Sequence, residues 1–162
     1  MAYSDYLDFR ANQHSLQDLT VYCGDDFQIT ADGGSERIDG AYVSGSFFNV
    51  LGKPFLLGRP FGDVEDATAA NVVVLSERLW RTRFHADSKV IGASITLSGR
   101  SFQIIGVTPE QANETGKIDL YLPFSLNPLY TDVKSRRSGH MDHCIGRLKD
   151  GALCSRLKPT LR

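Results

Sequence analysis

Nowhere do these 162 residues hold an apolar run near the ~18 that a membrane-spanning helix requires, and the N-terminus lacks the apolar core of a secretory signal. The piece as it stands is therefore expected to be soluble. Neither sign of charge is in excess, since 18 Lys and Arg stand against 19 Asp and Glu. That balance leaves no electrostatic footprint for nucleic acid, which demands a clearly basic face. The short cluster Lys134, Arg136 and Arg137 reads as a solvated loop. Cysteine is sparse and odd in number: Cys23, Cys144 and Cys154 follow no metal or redox spacing and exclude a disulfide framework. A Cys23–Cys144 bridge would need neighbouring strands, and buried free thiols are the expected state.

Nucleotide-binding loops are also missing. Neither Gly-x-x-x-x-Gly-Lys-Ser/Thr nor Gly-x-Gly-x-x-Gly occurs, so there is no phosphate cradle and any ATPase must lie elsewhere. Ser76 follows an apolar strand and precedes a helix, as a nucleophile elbow would, but it lacks the flanking glycines that permit that turn and reads as an N-cap. Asp63, Glu65 and Asp66 lack the ligand spacing of a calcium loop and read as a solvated turn. The one metal-like string is His140, His143 and Cys144, which supports an alternative reading as a metal-binding hydrolase or sensor. Positions three apart converge only on a helix, whereas this segment reads as loop running into strand, and no further ligand completes a set of four. His14 and His85 stand alone in polar surroundings, and Asn113-Glu114-Thr115 is a glycosylation triplet of the kind that arises by chance.

What is present suits a single globular domain or two small lobes, with 41% hydrophobic and 23% charged residues. Tyr3, Tyr6, Leu7, Phe9 and Arg10 have the spacing of an amphipathic helix with its aromatic face inward, capped by Ser4. Alternation over residues 19–23 and 27–31, parted by Gly24-Asp25-Asp26, predicts a hairpin. Asp32-Gly33-Gly34 predicts a turn into a strand over 36–44. A short helix over 46–51 would close at Gly52, and a loop follows with one extended piece near 55–57. Residues 72–75 read as a strand and 77–84 as a helix with Trp80 as a core anchor. A turn over 89–92 precedes a hairpin over 94–107 linked by Ser98-Gly99, and further strands are expected over 118–124 and 143–149. The basic tail over 152–162, interrupted by Pro159, is expected to fray. Short strands with two or three helices indicate an α+β fold.

Several spaced signatures then combine: Gly40-Ala41-Tyr42-Val43-Ser44-Gly45-Ser46-Phe47-Phe48-Asn49-Val50-Leu51-Gly52, Leu57-Gly58-Arg59-Pro60-Phe61, Val72-Val73-Val74-Leu75-Ser76-Glu77-Arg78-Leu79-Trp80, Val90-Ile91-Gly92 and Phe102-Gln103-Ile104-Ile105-Gly106-Val107. In this order they resemble the periplasmic core domain of MacB-like ABC-transporter permeases. Tyr3-Ser4-Asp5-Tyr6-Leu7-Asp8-Phe9-Arg10 and Glu36-Arg37-Ile38-Asp39-Gly40-Ala41 resemble a branch whose substrates are unassigned, and the likeness spans residues 3–151.

The resemblance implies two lobes: a porter-like α+β lobe from residues 1–51 and 139–162, and an inserted, mainly β lobe over 52–138. It implies a non-catalytic domain on the extracytoplasmic, periplasmic face of a bacterial membrane. There it would couple cytoplasmic ATP hydrolysis to export or to the handling of a partner outside the membrane. The partners implied are the remainder of the permease, a cytoplasmic ABC ATPase, and a periplasmic adaptor or second permease copy. Gly45, Phe47, Phe48, Gly58, Trp80, Gly92, Gly99 and Gly106 would have structural roles, and no catalytic, cofactor or metal residue is implied. Relative to the family pattern, the chain is expected to begin after the first strand of the porter-like lobe and to lack its usual final helix. Open strand edges in that lobe would then suit a dimer. A stand-alone periplasmic interaction module is the remaining alternative.

Overall fold

A strand buried on both faces must carry apolar residues at both parities, and most strands of this chain do. The computed structural model describes residues 3–12, 16–31, 34–109, 117–128 and 143–148. In chain order they form α1 (Tyr3–Asn12), β1 (Leu16–Ala31), β2 (Gly34–Val43), α2 (Phe47–Leu51), β3 (Leu57–Gly58), α3 (Asp63–Ala67), β4 (Val72–Ser76) and α4 (Glu77–Arg83), followed by β5 (Ser94–Leu97), β6 (Arg100–Thr108), β7 (Leu120–Pro123) and β8 (His143–Leu148). Single 3-10 turns at Ser88–Val90 and Phe124–Leu126 complete the set. The fold is mixed α+β, mostly sheet with a few short helices, as the alternation predicts.

The sheet path runs β2-β7-β4-β6-β5-β1, and β1 also pairs with β2, so six strands close into a ring. β8 extends it along the first half of β1, and β3 adds to β6. Most pairings are antiparallel, but β2–β7 and β4–β6 are parallel. Closure removes the open edges along the ring.

Two cores follow from the two-residue period. One parity supplies Phe27, Ile29, Ile38, Val73, Leu75, Leu97, Ile104 and Leu120 to the interior of the ring. The other sends Ala41, Val43, Val74 and Tyr121 outward, where Phe47 and Phe48 of α2, with Phe61, cover them. Phe48 meets Phe55, Phe61 and Tyr121 edge-on at 5.1 to 5.6 Å between ring centroids. An irregularity between Val73 and Val74 in the β4–β6 register sets Ile105 outward, while Ile104 and Val107 remain in the inner core.

Two glycines make this packing possible. A Cβ on Gly40, inside the ring, would lie 2.6 Å from the Phe27 ring and 2.7 Å from Leu120. Gly58 has φ +65, and a Cβ there would lie 2.0 Å from the Ile105 carbonyl oxygen.

The structure corrects four local expectations. Residues 19–31 are not a hairpin: β1 is one strand of 16 residues, because Leu19, Val21, Cys23, Phe27 and Ile29 share one parity through Gly24-Asp25-Asp26. Those three residues instead pair with Asp39, Gly40 and Ala41 of β2. Residues 63–67 are the helix α3 rather than a solvated turn, and Asp66 is only 4% exposed. Phe9 is 43% exposed, so the aromatic face of α1 is not wholly inward. Trp80 is half-buried at the margin of the core, with its indole N–H donating to the Asp87 carbonyl at 2.9 Å.

Other expectations hold with small shifts. Gly52 closes α2 with φ 63, and Ser76 caps α4 by accepting from the Leu79 N–H at 3.2 Å. Ser98 and Gly99, at φ 48 and 82, link β5 to β6 as a tight two-residue turn.

Candidate functional site

Several buried polar groups tie elements of this fold together. Ser44 directly follows β2, and its hydroxyl lies 2.7 Å from the Thr20 hydroxyl and 3.1 Å from that of Ser46. The Leu19 carbonyl accepts from the Tyr6 hydroxyl at 2.9 Å and from Ser46 at 2.8 Å. This knot holds α1 against β1 and the start of α2. Burial raises the Tyr6 hydroxyl above its ordinary pKa, so it stays protonated and donates.

A second knot centres on Asp66. Its carboxylate accepts from the Gly45 N–H at 3.2 Å and the Ser125 N–H at 2.9 Å, while the Ser125 hydroxyl donates to its carbonyl. Asp66 thus joins α3, the turn before α2 and the turn after β7. Arg10 adds an outer tie, reaching Asp18 at 2.8 Å and Asp63 at 3.2 Å. These arrangements satisfy buried donors and acceptors and need no ligand.

One end of the ring is different. Where β5 turns into β6, a cleft of about 270 Å³ opens over the inner core. Phe27, Tyr42, Leu97, Phe102 and Leu122 form its apolar wall. Asp25, Asp26 and Arg100 also line it.

Tyr42 packs edge-on against Phe27 at 5.3 Å and is 6% exposed, yet its hydroxyl has no hydrogen-bond partner among the described residues. Burial first, then the charge of Asp25, pushes that hydroxyl up to about 12, so it is a neutral donor at physiological pH. Arg100 stacks over Phe102 at 5.6 Å and has no ion pair among the described residues. Asp26 is paired with Arg37, and Asp25 accepts from the Asp26 N–H at 2.8 Å.

The residues singled out for metal binding are not assembled by the described part of the fold. His140 lies outside the described residues. For His143 and Cys144 only the backbone is described, opposite Tyr22 and Val21 at the start of β8. Cys23 is buried, 8% exposed. Among the described residues no group of three or more His, Cys, Asp and Glu is placed to hold a metal ion, and no helix is long and apolar enough to cross a membrane.

The residue signatures that carry the resemblance converge in space. Gly45 packs against the α3 backbone, Phe47 and Phe48 cover the outer core, and Gly58 and Gly106 meet at the β3–β6 pairing. The MacB-like periplasmic core domain family matches residues 1–159. The chain belongs to that family.

Solved structures agree on the fold of this periplasmic core domain. The periplasmic region of MacB from Actinobacillus actinomycetemcomitans superposes with a TM-score of 0.75 at 20% identity, over 95% of this chain and 67% of that one. The extracellular domain of the ABC-type transporter YknZ from Gram-positive bacteria gives 0.71 at 14% identity, over 93% and 74%. Among curated relatives, the macrolide export ATP-binding/permease protein MacB of Salmonella paratyphi A is 34% identical over 86 residues, which are 51% of this chain and 13% of that protein. The Burkholderia cenocepacia protein of the same name is 29% identical over 119 residues, 68% of this chain and 17% of its own length. The chain thus spans a small part of the curated relatives that it matches.

Tyr42 and Arg100, which both line the cleft, are not singled out as contacts by the sequence. One signal was available: Tyr42 shares the inward parity of Ile38 and Gly40, where a phenolic hydroxyl needs a partner.

Proposed function

We propose that this domain is the extracytoplasmic working part of an ABC permease, coupling cytoplasmic ATP hydrolysis to export or to the handling of a substrate or partner outside the membrane. The family match over residues 1–159 carries the reading. The domain itself breaks no bond, and hydrolysis belongs to an ATPase on the other side of the membrane. Movement would reach it through membrane helices on either side of the domain. The remainder of the permease and a cytoplasmic ATPase are the partners this requires, with a periplasmic adaptor or a second copy as further ones. Export of macrolides, the activity in the relatives' names, is the first substrate class to try.

The two-lobe division, 1–51 with 139–162 against 52–138, belongs to the same proposal. β1 and β2 would then serve both lobes, since they pair with β8 on one side and with β5 and β7 on the other.

The test is to read the coding region on both sides and to map protease access in membranes carrying the full-length product. Apolar spans on both sides, with cleavage only from the extracytoplasmic face, support the proposal. A product without spans would leave a shared fold in an interaction module.

A further inference from the structure

We propose that the cleft at the β5–β6 end of the ring is a binding site for a small aromatic or short-acyl carboxylate. The apolar body would lie on Phe27, Leu97, Phe102 and Leu122, and the Tyr42 hydroxyl and Arg100 guanidinium would hold the carboxylate.

Three independent observations carry this. First, the wall of the cleft is made of inner-core side chains, so an apolar group placed there would meet aromatic and aliphatic surface. Second, Tyr42 is more than nine-tenths buried, lines the cleft, and its hydroxyl has no protein partner among the described residues. An acceptor oxygen in the cleft satisfies it. Third, Arg100 is a charged donor without an ion pair among the described residues, and a guanidinium prefers a planar carboxylate.

Size narrows the ligand. About 270 Å³ lies just below the ~300–1,000 Å³ of pockets that enclose drug-sized molecules, so the cleft takes a fragment-sized group or one end of a larger molecule. The rim charges decide the head group. Asp26 is paired with Arg37, and Asp25 accepts a main-chain N–H but keeps its charge, so a preference for an acid over its amide rests on Arg100, which lines the cleft and has no ion pair among the described residues. The site does not depend on the transport reading, since it uses only side chains of this chain.

The probes are 4-phenylbutyrate, its neutral amide and 4-phenylbutylamine, titrated into the full 162-residue chain and followed by two-dimensional NMR. The expected result is a saturable shift confined to residues around Phe27, Tyr42, Leu97, Phe102 and Leu122. The carboxylate should bind about tenfold more tightly than the amide, as loss of a charge-assisted hydrogen bond implies. Arg100→Gln, at an exposed position, should abolish that preference without moving the spectrum elsewhere. Tyr42→Phe should weaken the acid and the amide alike. No saturable shift for any probe overturns the site; equal or tighter binding of the amide or the amine overturns the carboxylate.

Discussion

The Tyr6 hydroxyl donates to the Leu19 carbonyl at 2.9 Å, bringing the middle of α1 onto the first half of β1 across 13 residues of chain. Tyr6 is 1% exposed, whereas Phe9, one turn further along the same helix, is 43% exposed. One aromatic therefore anchors α1, through its polar tip as much as its ring. Tyr6→Phe keeps the ring and removes the tip, leaving the Ser44 and Ser46 hydroxyls short of a partner. It should cost about 1–2 kcal/mol in urea unfolding, while Phe9→Ala should stay within about 0.5–1 kcal/mol. Equal costs would mean that the knot does not hold the helix.

Gly58→Ala should be among the most damaging single changes in the chain. It combines a positive φ with a Cβ 2.0 Å from the Ile105 carbonyl oxygen, and a main-chain oxygen cannot swing aside. A loss of about 3 kcal/mol or more is expected. Gly34→Ala is the control, because a Cβ there meets nothing within 4 Å, and its effect should stay below about 0.5 kcal/mol.

Alkaline stability should report the buried phenols. Tyr6, Tyr42 and Tyr121 are all raised above the ordinary value of 10.0 by burial, and Tyr42 reaches about 12. Below pH 10 these groups are protonated in both folded and unfolded chains and add no pH dependence. Above it the unfolded chain loses protons that the folded chain keeps, so stability falls as pH rises toward 12. For Tyr42 the slope should approach about 1.4 kcal/mol per pH unit, and Tyr42→Phe should remove that share. Urea midpoints between pH 8 and 11 measure it; a flat profile would contradict the buried, neutral phenols.

Trp80 and Phe47 should separate in magnitude. Phe47 is 0% exposed beneath the outer face of the ring, so Phe47→Ala should cost about 3–5 kcal/mol. Trp80 is half-buried, so Trp80→Ala should cost roughly 2 kcal/mol, made up of partial contact and the bond to Asp87. As the lone tryptophan of the chain, it also supplies the fluorescence signal for the other variants, and its emission should shift red on unfolding.

Much of the fold was legible because its signals are local. Two-residue alternation located the strands, Ser98-Gly99 the tight turn, Ser76 the cap of α4 and Gly52 the end of α2. These depend on backbone conformation and on which side chain follows which, and the chain states both directly. The same locality misled at residues 24–26, where turn-forming residues sit inside one continuous strand because β2 supplies a ladder that local propensity cannot see. Asp66 misled for a similar reason: acidic neighbours suggest solvent, yet its acceptors are used by N–H groups 21 and 59 residues away.

By itself, then, the sequence determined the α+β class, the family, and the absence of nucleotide loops and membrane-length apolar runs, since each is a property of composition or of ordered motifs. Only the tertiary structure decided that six strands close into a ring, that the two parities build two separate cores, and that Tyr42 and Arg100 line one cleft although 57 residues of chain separate them. The physical reason is that ring closure, burial and an unmet hydrogen bond are sums over long-range contacts, and no local stretch of chain contains them.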